Sequence, residues 1–340
     1  MRVLIIGGTG LISTSITRQL LDRGHDVTHY NRGRHKPHYG PGQVRQIAGD
    51  RTQYAQFEQQ MAQAGPWDCV VDMIGYKAPD VQSDVRAFTG RTGQLIFCST
   101  VDVYTKPATH LPYREDEPQS GIGPYATNKV ACESILMDAH RGGRLPVTII
   151  RPAMTYARGQ GIHSSFGGRA MFSRLRQGKE IIVHGDGMSL WVTCHADDVG
   201  HAFVSAVGNA GTLGRAYHVT GEEWMTWDQY YRTVARAIDA PPPRMVHIPS
   251  ELLARVAPKQ AGICATNFMF NNVFDNSAAR ADLDFSYRVS WLEGVQRDQA
   301  WLADHGKKDS DDLDPLYDRV LEAWKTAGQN MADQLADLGM

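Results

Sequence analysis

The chain has 340 residues, of which 42% are hydrophobic and 21% are charged, and this composition excludes a disordered, collagen-like or coiled-coil protein. Its formal net charge is −2, which argues against binding a nucleic acid through bulk charge. The longest apolar runs, such as Val3–Ile6, are far shorter than the ~20 residues that span a bilayer, and Gly7-Gly8 interrupts the stretch that a signal peptide would need. We therefore expect a globular cytoplasmic protein of two domains, or of one large α/β unit with an appendage.

The spacing of cysteines and histidines does not match a metal site. The five cysteines include no Cys-x-x-Cys pair, and the 13 histidines show no His-Glu-x-x-His or similar spacing. We expect buried, reduced thiols and no structural metal.

Short apolar runs alternate with amphipathic stretches over the first 150 residues. The apolar runs predict strands at Val3–Ile6, Val27–Tyr30, Val44–Ile47, Cys69–Ile74, Gln94–Cys98 and Val147–Ile150. The amphipathic stretches predict helices at Leu11–Asp22, Gln53–Gln63, Val81–Phe88 and Tyr125–His140. Strands that alternate with helices and are apolar on both faces predict a doubly wound α/β fold, a parallel sheet that binds ligands at the carboxyl ends of its strands.

The alternation becomes less regular after Pro152. Helices are predicted at Phe166–Gln177, Ala196–Val207 and Trp291–Asp304, and strands at Ile181–Val183, Ser189–Thr193 and Ala216–Val219. The last segment, Asp311–Leu338, has apolar residues near helical spacing. We expect it to form a terminal helix that packs on the body of the protein, with packing on a partner chain as the alternative.

The first predicted strand leads into Gly7-Gly8-Thr9-Gly10-Leu11-Ile12-Ser13, which opens the first predicted helix. A glycine-rich loop between a strand and a helix is the context of the dinucleotide-binding fingerprint. Gly7 permits the tight turn, and Gly10 lets the backbone approach a pyrophosphate, whose charge the helix N-terminus stabilises. Ser13 replaces the third glycine and is small enough for close helix–strand packing. We therefore expect this loop to bind a dinucleotide.

The end of the second predicted strand lacks the acidic residue that usually binds the ribose diol of NAD. The run from Thr28 onward contains no carboxylate and includes Arg32 and Arg34, which are suited to a 2′-phosphate. We therefore favour NADP over NAD, with Asn31, Arg32 and Arg34 at the cofactor. A solvated basic loop is the alternative.

Two further positions follow predicted strands. Asp50 comes just after the third strand, where its carboxylate either accepts a hydrogen bond from an adenine amino group or forms a surface turn. Ile74-Gly75-Tyr76 follows the fourth strand, where the glycine lets the backbone lie against the cofactor.

A Tyr-x-x-x-Lys pattern, formed by Tyr125 and Lys129, begins the fourth predicted helix. Positions i and i+4 share one helix face, so the lysine ammonium is expected to favour the phenolate and lower the tyrosine pKa. Such a tyrosine exchanges a proton with a substrate hydroxyl while hydride moves to or from a nicotinamide. Thr100, at the end of the fifth strand, is placed to hydrogen-bond the same substrate oxygen.

Together these motifs resemble the extended short-chain dehydrogenase/reductases, also called the NAD-dependent epimerase/dehydratase family. The resemblance extends from about Met1 to about His305. Its markers are the glycine-rich loop, Asp50, Cys98-Ser99-Thr100 with Val103-Tyr104, Tyr125 with Lys129, Arg151-Pro152-Ala153, Gly185-Asp186-Gly187 and Ala196-Asp197-Asp198-Val199.

The resemblance implies a Rossmann domain, a smaller C-terminal substrate domain and a catalytic set of Thr100, Tyr125 and Lys129. We expect the dinucleotide-binding domain at residues 1–155, with segments near 189–220 returning to it. The substrate domain is expected at 156–306 and a C-terminal helical extension at 307–340. The residues expected at the cofactor are Gly7, Thr9, Gly10, Leu11, Ile12, Asn31, Arg32, Arg34, Asp50, Ile74, Tyr125, Lys129, Arg151 and Pro152.

Two departures from the family pattern bear on the substrate. Family dehydratases carry an Asp-Glu pair after the hydroxyl residue, whereas this chain has Val101 and Asp102, which argues against dehydration. Trp191 stands where many nucleotide-sugar enzymes have an arginine for a substrate phosphate, which weakens the expectation of a nucleotide diphosphate. The residues expected at the substrate are Tyr76, Asp102, Met154, Trp191, Arg169 and Arg280.

Three functions remain open from the sequence. The first is an NAD(P)-dependent sugar or nucleotide-sugar epimerase, and the second is an NADP-dependent dehydrogenase or reductase of a sugar-like alcohol or ketone. The third is a non-catalytic, RNA-binding family member that uses the basic run at 32–38, which the net charge and the intact Tyr125/Lys129 pair make the least favoured. We also expect a homodimer, formed through Val81–Phe88 and Tyr125–His140, and no membrane partner.

Overall fold

The computed structural model describes residues 1–34, 39–40, 42–311 and 314–336. Residues 35–38 of the basic run and 312–313 and 337–338 of the predicted terminal helix therefore lie outside the described residues. The chain divides into two compact units. Unit 1 contains Met1–Gln160, Val192–Glu223 and Val273–Ser290. Unit 2 contains Gly161–Trp191, Trp224–Asn272 and the residues from Trp291 onward.

The described residues form thirteen strands and twelve α-helices. The strands are β1 (Arg2–Ile6), β2 (Asp26–Asn31), β3 (Arg45–Ala48), β4 (Cys69–Asp72), β5 (Leu95–Cys98), β6 (Val147–Pro152), β7 (Met154–Tyr156), β8 (Glu180–His184), β9 (Leu190–Trp191), β10 (Thr193–His195), β11 (Ala216–Val219), β12 (Met225–Thr226) and β13 (Arg244–Ile248). The helices are α1 (Leu11–Asp22), α2 (Tyr54–Ala64), α3 (Ala78–Phe88), α4 (Gly123–Arg141), α5 (Ala170–Arg176), α6 (Ala196–Ala206), α7 (Trp227–Ala237), α8 (Ser250–Val256), α9 (Pro258–Ile263), α10 (Ser277–Leu283), α11 (Trp291–Asp304) and α12 (Pro315–Leu335).

A parallel sheet forms the centre of unit 1. Its strand order is β11-β6-β5-β4-β1-β2-β3, and every neighbouring pair is parallel. Alternate side chains of β1 enter different cores, because Val3 and Ile5 pack in one hydrophobic cluster whereas Leu4 and Ile6 pack in another. Burial on both faces explains why the strands are continuously apolar. The sheet is the doubly wound one that the sequence predicts.

The order of the strands predicts where unit 1 has a ligand-binding crevice. The chain moves outward from β1 through β2 and β3 and then returns to β4 on the other side of β1. At such a reversal the loops that follow neighbouring strands diverge, which leaves a crevice at the carboxyl ends of the strands. The loops after β1, β4 and β5 all meet at this crevice.

The fourth strand is shorter than predicted. It ends at Asp72 rather than Ile74, because the Asp72 carboxylate accepts a hydrogen bond from the Ile74 backbone N–H at 2.9 Å and turns the chain. The helix that follows begins at Ala78, three residues before the predicted start, with Pro79 in its first turn and Asp80 capping its N-terminus.

Unit 2 has its own core, built largely from aromatic side chains. Trp191, Trp227 and Phe268 pack together with ring centroids 4.6 to 5.1 Å apart. The strands of unit 2 pair as β8 with β13 in parallel and as β9 with β12 in antiparallel orientation. Helix α12 contributes Tyr317 and Leu321 to the buried residues of this unit.

The units divide the chain at other positions than the predicted domain boundaries. Residues 192–223 belong to unit 1, where β11 completes the sheet, whereas 189–191 belong to unit 2. Residues 273–290 also lie in unit 1, although the sequence placed them in the substrate domain. The segment predicted as a separate extension lies within unit 2. Among the described residues, no helix has the length and apolar character needed to cross a membrane.

Candidate active site

The glycine-rich loop between β1 and α1 has a shape that larger side chains would not permit. Gly7 has a φ of +87°, and a Cβ added there would lie 2.6 Å from Ile74. A Cβ added at Gly8 would overlap the buried His29 ring. Ser13 closes the loop, because its hydroxyl donates to the Gly7 carbonyl at 2.8 Å and accepts from the Gly10 N–H at 2.7 Å. The replacement of the third glycine therefore adds two hydrogen bonds.

Two cavities of unit 1 share this loop. One has a volume of about 280 Å³ and the other of about 620 Å³, and Gly7, Gly10, Ile74 and Tyr76 line both. The first turn of α1 directs backbone N–H groups without intrahelical partners toward the loop, which suits a pyrophosphate. A cradle that an added Cβ would fill, next to a helix N-terminus, fits a bound dinucleotide.

The larger cavity contains the residues expected at the adenosine half of the cofactor. Arg32 and Arg34 are exposed and line it, together with Asn31 and Asp50. Asn31 accepts a hydrogen bond from the Gly33 N–H at 2.8 Å, which shapes the end of β2. No carboxylate of the described residues occupies the end of β2 itself.

Asp50 forms the surface turn that was one of the two roles the sequence left open, and its contact with adenine stays a prediction. Its carboxylate accepts hydrogen bonds from the Thr52 N–H at 3.0 Å and the Thr52 hydroxyl at 2.8 Å, which is a surface turn. The same carboxylate lies on the wall of the larger cavity. The backbone and hydroxyl hydrogen bonds from Thr52, followed by the charges of Arg32 and Arg34, lower the pKa of Asp50.

The smaller cavity contains all three residues expected to be catalytic. Thr100, Tyr125 and Lys129 line it, beside Gly7 and Gly10 of the loop. Tyr125 and Lys129 lie one turn apart on α4, and Thr100 follows β5. The Thr100 hydroxyl oxygen also accepts a hydrogen bond from the Asp102 N–H at 3.2 Å. The structure therefore brings together three residues that are separated by up to 29 positions in the sequence.

Lys129 is buried and its ammonium group contacts the backbone. Its Nζ donates to the carbonyl oxygen of Gly75 at 2.9 Å and to that of Cys98 at 2.7 Å. The same atom lies 4.6 Å from the centre of the Phe97 ring and 5.0 Å from that of Tyr76. The side chain thus joins the loop after β4 to the end of β5.

The expectation that Lys129 lowers the pKa of Tyr125 is wrong for the described chain. Burial raises the pKa of the Tyr125 phenol, and the nearby Cys98 and Asp102 raise it further, while a hydrogen bond with Thr100 acts in the opposite direction. The ammonium is directed to two carbonyl oxygens instead. The phenol therefore keeps its proton at neutral pH.

Three predicted substrate residues lie near the catalytic set. Tyr76 is 48% exposed and lines both cavities. Asp102 is 3.5 Å from the ammonium group of Lys106, which is itself almost fully buried. Met154 is half-buried in β7, and its neighbours Ala153 and Thr155 line the smaller cavity in its place.

Arg151 does not lie at the cofactor cleft as predicted. Its guanidinium forms a bidentate pair with the Glu133 carboxylate at 2.6 and 3.0 Å and donates to the Tyr104 hydroxyl at 2.6 Å. All three side chains are buried. Successive side chains of a strand point to opposite faces, so the adjacent Pro152 lines the cleft whereas Arg151 does not.

The other predicted substrate residues are engaged elsewhere. Trp191 is 5% exposed within the aromatic core of unit 2, so its ring is not available to a ligand. Arg169 pairs with Asp298 at 2.7 Å and with Asp309. Arg280, on α10 of unit 1, pairs with Glu222.

The sequence analysis missed a buried charged cluster beside the cleft. Arg51 contacts Asp72 and Asp84, and all three side chains are at most 4% exposed. An arginine directly after the candidate adenine residue and an aspartate that ends an apolar strand were the available signals. Among the described residues, no group of three His, Cys, Asp or Glu side chains is arranged to hold a metal ion, and the five cysteines are buried and free.

Comparison with known proteins identifies sequence relatives of several activities. The model of the NAD dependent epimerase/dehydratase family matches residues 3–220. Chloroplast stem-loop binding protein of 41 kDa b from Arabidopsis thaliana is 28% identical over 72% of this chain and 65% of its own length, just under two thirds. 2′-Dehydrokanamycin reductase from Streptomyces kanamyceticus is 26% identical over 81% of this chain and 77% of its own. UDP-glucose 4-epimerase from Mycolicibacterium smegmatis is 29% identical over 68% of each chain.

Solved structures share the fold at lower identity. UDP-glucose 4-epimerase from Thermotoga maritima, with UDP-glucose, superimposes with a TM-score of 0.72 over 90% of this chain and 100% of its own, at 18% identity. UDP-glucuronic acid 4-epimerase from Bacillus cereus, in complex with NAD, gives a TM-score of 0.68 over the same shares, also at 18% identity. These likenesses confirm the predicted Rossmann-type fold.

Proposed function

We propose that this chain, which belongs to the NAD-dependent epimerase/dehydratase family and so to the extended short-chain dehydrogenase/reductase enzymes, acts on a sugar-like substrate. It interconverts a secondary alcohol and a ketone by epimerase-type hydride transfer. The observation that carries the proposal is the cavity that Thr100, Tyr125 and Lys129 line together with the glycine-rich loop. A dinucleotide at the loop and a substrate oxygen at Tyr125 would then share one cavity.

Each residue of the set has a distinct part in this proposal. Tyr125 gives a proton to the substrate oxygen when a ketone is reduced and takes it back when an alcohol is oxidised. Thr100 holds the same oxygen by a hydrogen bond. Lys129 keeps the loop after β4 and the end of β5 in register. The nicotinamide, when bound, supplies the hydride acceptor or donor.

The substrate is proposed to lie against Tyr76 and Asp102. Tyr76 offers an exposed ring next to the catalytic cavity, on which a sugar ring can pack. The carboxylate of Asp102 is 30% exposed and is placed to accept hydrogen bonds from sugar hydroxyls. Trp191, which stands where many nucleotide-sugar enzymes have an arginine for a substrate phosphate, is buried and cannot bind a nucleotide diphosphate. We therefore propose a free sugar as substrate in preference to a nucleotide-linked one.

The second candidate is an NADP-dependent reductase of a sugar-like ketone. Two exposed arginines at the end of β2, Arg32 and Arg34, favour it, because they would pair with a 2′-phosphate. The similarity to 2′-dehydrokanamycin reductase also supports it. An epimerase keeps its cofactor between turnovers, whereas a reductase exchanges it.

Identifying the nucleotide released on denaturation tests the two candidates. A stoichiometric oxidised dinucleotide supports an epimerase, and a protein that arrives empty and consumes added NADPH with a keto-sugar supports a reductase. A protein that binds neither NAD(H) nor NADP(H) but retains RNA in a salt-dependent manner would contradict both candidates. That result would support the RNA-binding alternative, to which the similarity to a stem-loop binding protein also points.

We further propose that the enzyme is a homodimer. Helix α4 carries Ile135 and Met137, which are only partly buried within the single chain, and α3 packs beside it. Helices α3 and α4 of one protomer and the same two helices of its partner would form a four-helix interface. A dimeric mass by light scattering at micromolar concentration is expected, and a monomeric mass contradicts this proposal.

A further inference from the structure

A buried charged cluster lies beneath the loop that follows β4. The guanidinium of Arg51 donates to the Asp72 carboxylate at 2.8 Å and to the Asp84 carboxylate at 2.7 Å. It also donates to the backbone carbonyl of Asp80 at 2.8 Å. Asp72 and Asp84 are fully buried, and Arg51 and Asp80 are nearly so. Groups of this charge are buried at a high desolvation cost, which the pairing of the guanidinium with the carboxylates offsets.

Both ends of the loop are attached to this cluster. At its start, Asp72 accepts a hydrogen bond from the Ile74 N–H at 2.9 Å. At its end, Asp80 accepts from the N–H groups of Tyr76 at 2.9 Å and Lys77 at 3.0 Å. Because Arg51 binds the side chain of the first aspartate and the backbone of the second, one guanidinium holds the whole turn between β4 and α3.

The same turn forms part of the cleft. Ile74 and Tyr76 line both cavities, and the Gly75 carbonyl accepts the hydrogen bond from Lys129. Gly75 fits closely between the cluster and β5, because a Cβ added there would overlap the Asp72 carboxylate and lie 2.9 Å from the Phe97 ring. A displacement of the turn would therefore move the acceptor of the Lys129 ammonium.

We infer that Arg51 and Asp72 are positioning residues that hold the Ile74–Tyr76 turn against Lys129 and so preform the nicotinamide end of the cleft. This inference rests on the proposed function for its consequence in cofactor binding. The position of the turn itself follows from the contacts of the chain alone. Neither side chain is proposed to touch the reacting atoms.

The two carboxylates that Arg51 binds differ in the direction of their pKa shifts as well as in their contacts. Burial tends to raise the pKa of Asp72, but the Arg51 charge and the Ile74 N–H lower it below the ordinary value. Burial raises the pKa of Asp84 well above its ordinary value, and the charge and hydrogen bond of Asp72 add to this rise, while the Arg51 charge opposes it. Asp72 is the carboxylate attached to the turn, through its hydrogen bond from the Ile74 N–H. Asp84 lies on α3 and lines neither cavity.

This difference provides a matched pair of variants, Asp72→Asn and Asp84→Asn. Each removes one buried carboxylate from the same guanidinium at nearly the same distance. Hydrogen–deuterium exchange of the amides of residues 73–77, measured by mass spectrometry, reports the turn directly and requires no cofactor. Fluorescence titration with NADPH and with NADH reports the consequence for binding.

We expect Asp72→Asn to accelerate exchange in the turn and weaken dinucleotide binding by about tenfold each, as for loss of a charge-assisted hydrogen bond. Asp84→Asn should leave both quantities within about twofold, since Asp84 lies on α3 and Asp72 is the carboxylate that accepts from the Ile74 N–H. Gly75→Ala, which keeps every charge but displaces the turn, should reproduce the Asp72→Asn result and decides the matter if that variant does not fold.

The outcomes separate the inference from the proposed function. Equal effects of the two Asn variants, or unchanged exchange at 73–77 in both Asp72→Asn and Gly75→Ala, would overturn the positioning role and reduce the cluster to general stability. Wild-type protein that binds neither dinucleotide would overturn the proposed function, whereas faster exchange in Asp72→Asn would still support the hold on the turn.

Discussion

The ammonium nitrogen of Lys129 lies 2.7 Å from the carbonyl oxygen of Cys98, to which it donates a hydrogen bond. A second hydrogen bond reaches the Gly75 carbonyl, so a single side chain links the carboxyl ends of β4 and β5. In the described chain the lysine therefore organises the backbone of the cleft. Burial, followed by the nearby Cys98 and Asp102, raises the pKa of the neighbouring Tyr125 phenol.

Replacing this lysine should affect stability as well as turnover. In Lys129→Met the carbonyl oxygens of Gly75 and Cys98 lose their donor, and an unsatisfied buried polar group costs about 1–3 kcal/mol. We expect the free energy of unfolding, measured with urea, to fall by at least that amount. Lys259→Met, which alters an exposed lysine of α9, serves as the control and should change it by less than about 0.5 kcal/mol. Equal stability of the two variants would contradict the structural role.

The arginines at the end of β2 should determine the preference for NADP. In the double variant Arg32→Ala/Arg34→Ala, the affinity for NADPH should fall by about tenfold or more while that for NADH changes little, because the 2′-phosphate loses its charge-assisted hydrogen bonds. Arg45→Ala is the matched control, because Arg45 is also exposed but lies at the first residue of β3, away from the carboxyl end of β2. A parallel loss of affinity for both dinucleotides, measured by fluorescence titration, would reject the preference.

Buried histidines should make the protein sensitive to mild acid. Burial lowers the pKa of His29 to about 4, of His184 to about 4 and of His218 to about 3. In the unfolded chain these rings take up protons below their ordinary pKa of about 6.5, whereas the folded chain excludes them, so stability is lost as the pH falls. We expect the free energy of unfolding to decrease between about pH 6.5 and 4, by up to about 1.4 kcal/mol per pH unit for each histidine. A flat profile over that interval would show that the folded state accepts the protons.

Local patterns in the sequence were sufficient to predict the fold and the clustering of Thr100, Tyr125 and Lys129 at one cavity. The glycine-rich loop needs a strand, a turn and a helix in immediate succession, and the pair formed by Tyr125 and Lys129 needs only one helical turn. Thr100 could be added because parallel strands end at one edge of the sheet. The first two inferences depend on residues whose spacing along the chain determines their separation in space, and the third depends on the topology of a parallel sheet.

The residues wrongly placed at the cofactor or substrate have long side chains whose partners are distant in sequence. Arg151 pairs with Glu133 and Arg169 with Asp298, and neither pairing follows from spacing. Trp191 was predicted to meet a substrate, but apolar packing within unit 2 buries it. The role of Arg51 was missed for the same reason, since its partners lie 21 and 33 positions away.

The most direct test of the account is the rate of hydride transfer in Tyr125→Phe, measured in a single turnover with deuterated NADPH and a ketone that the wild-type enzyme reduces. The substitution keeps the ring and removes only the hydroxyl, so stability and cofactor affinity should remain close to those of the wild type. Loss of a positioned proton donor should slow the step by about 10²–10⁴-fold. A rate within about twofold of the wild type, at unchanged cofactor affinity, would contradict the assignment of Tyr125 as the proton donor and with it the proposed chemistry of the cleft.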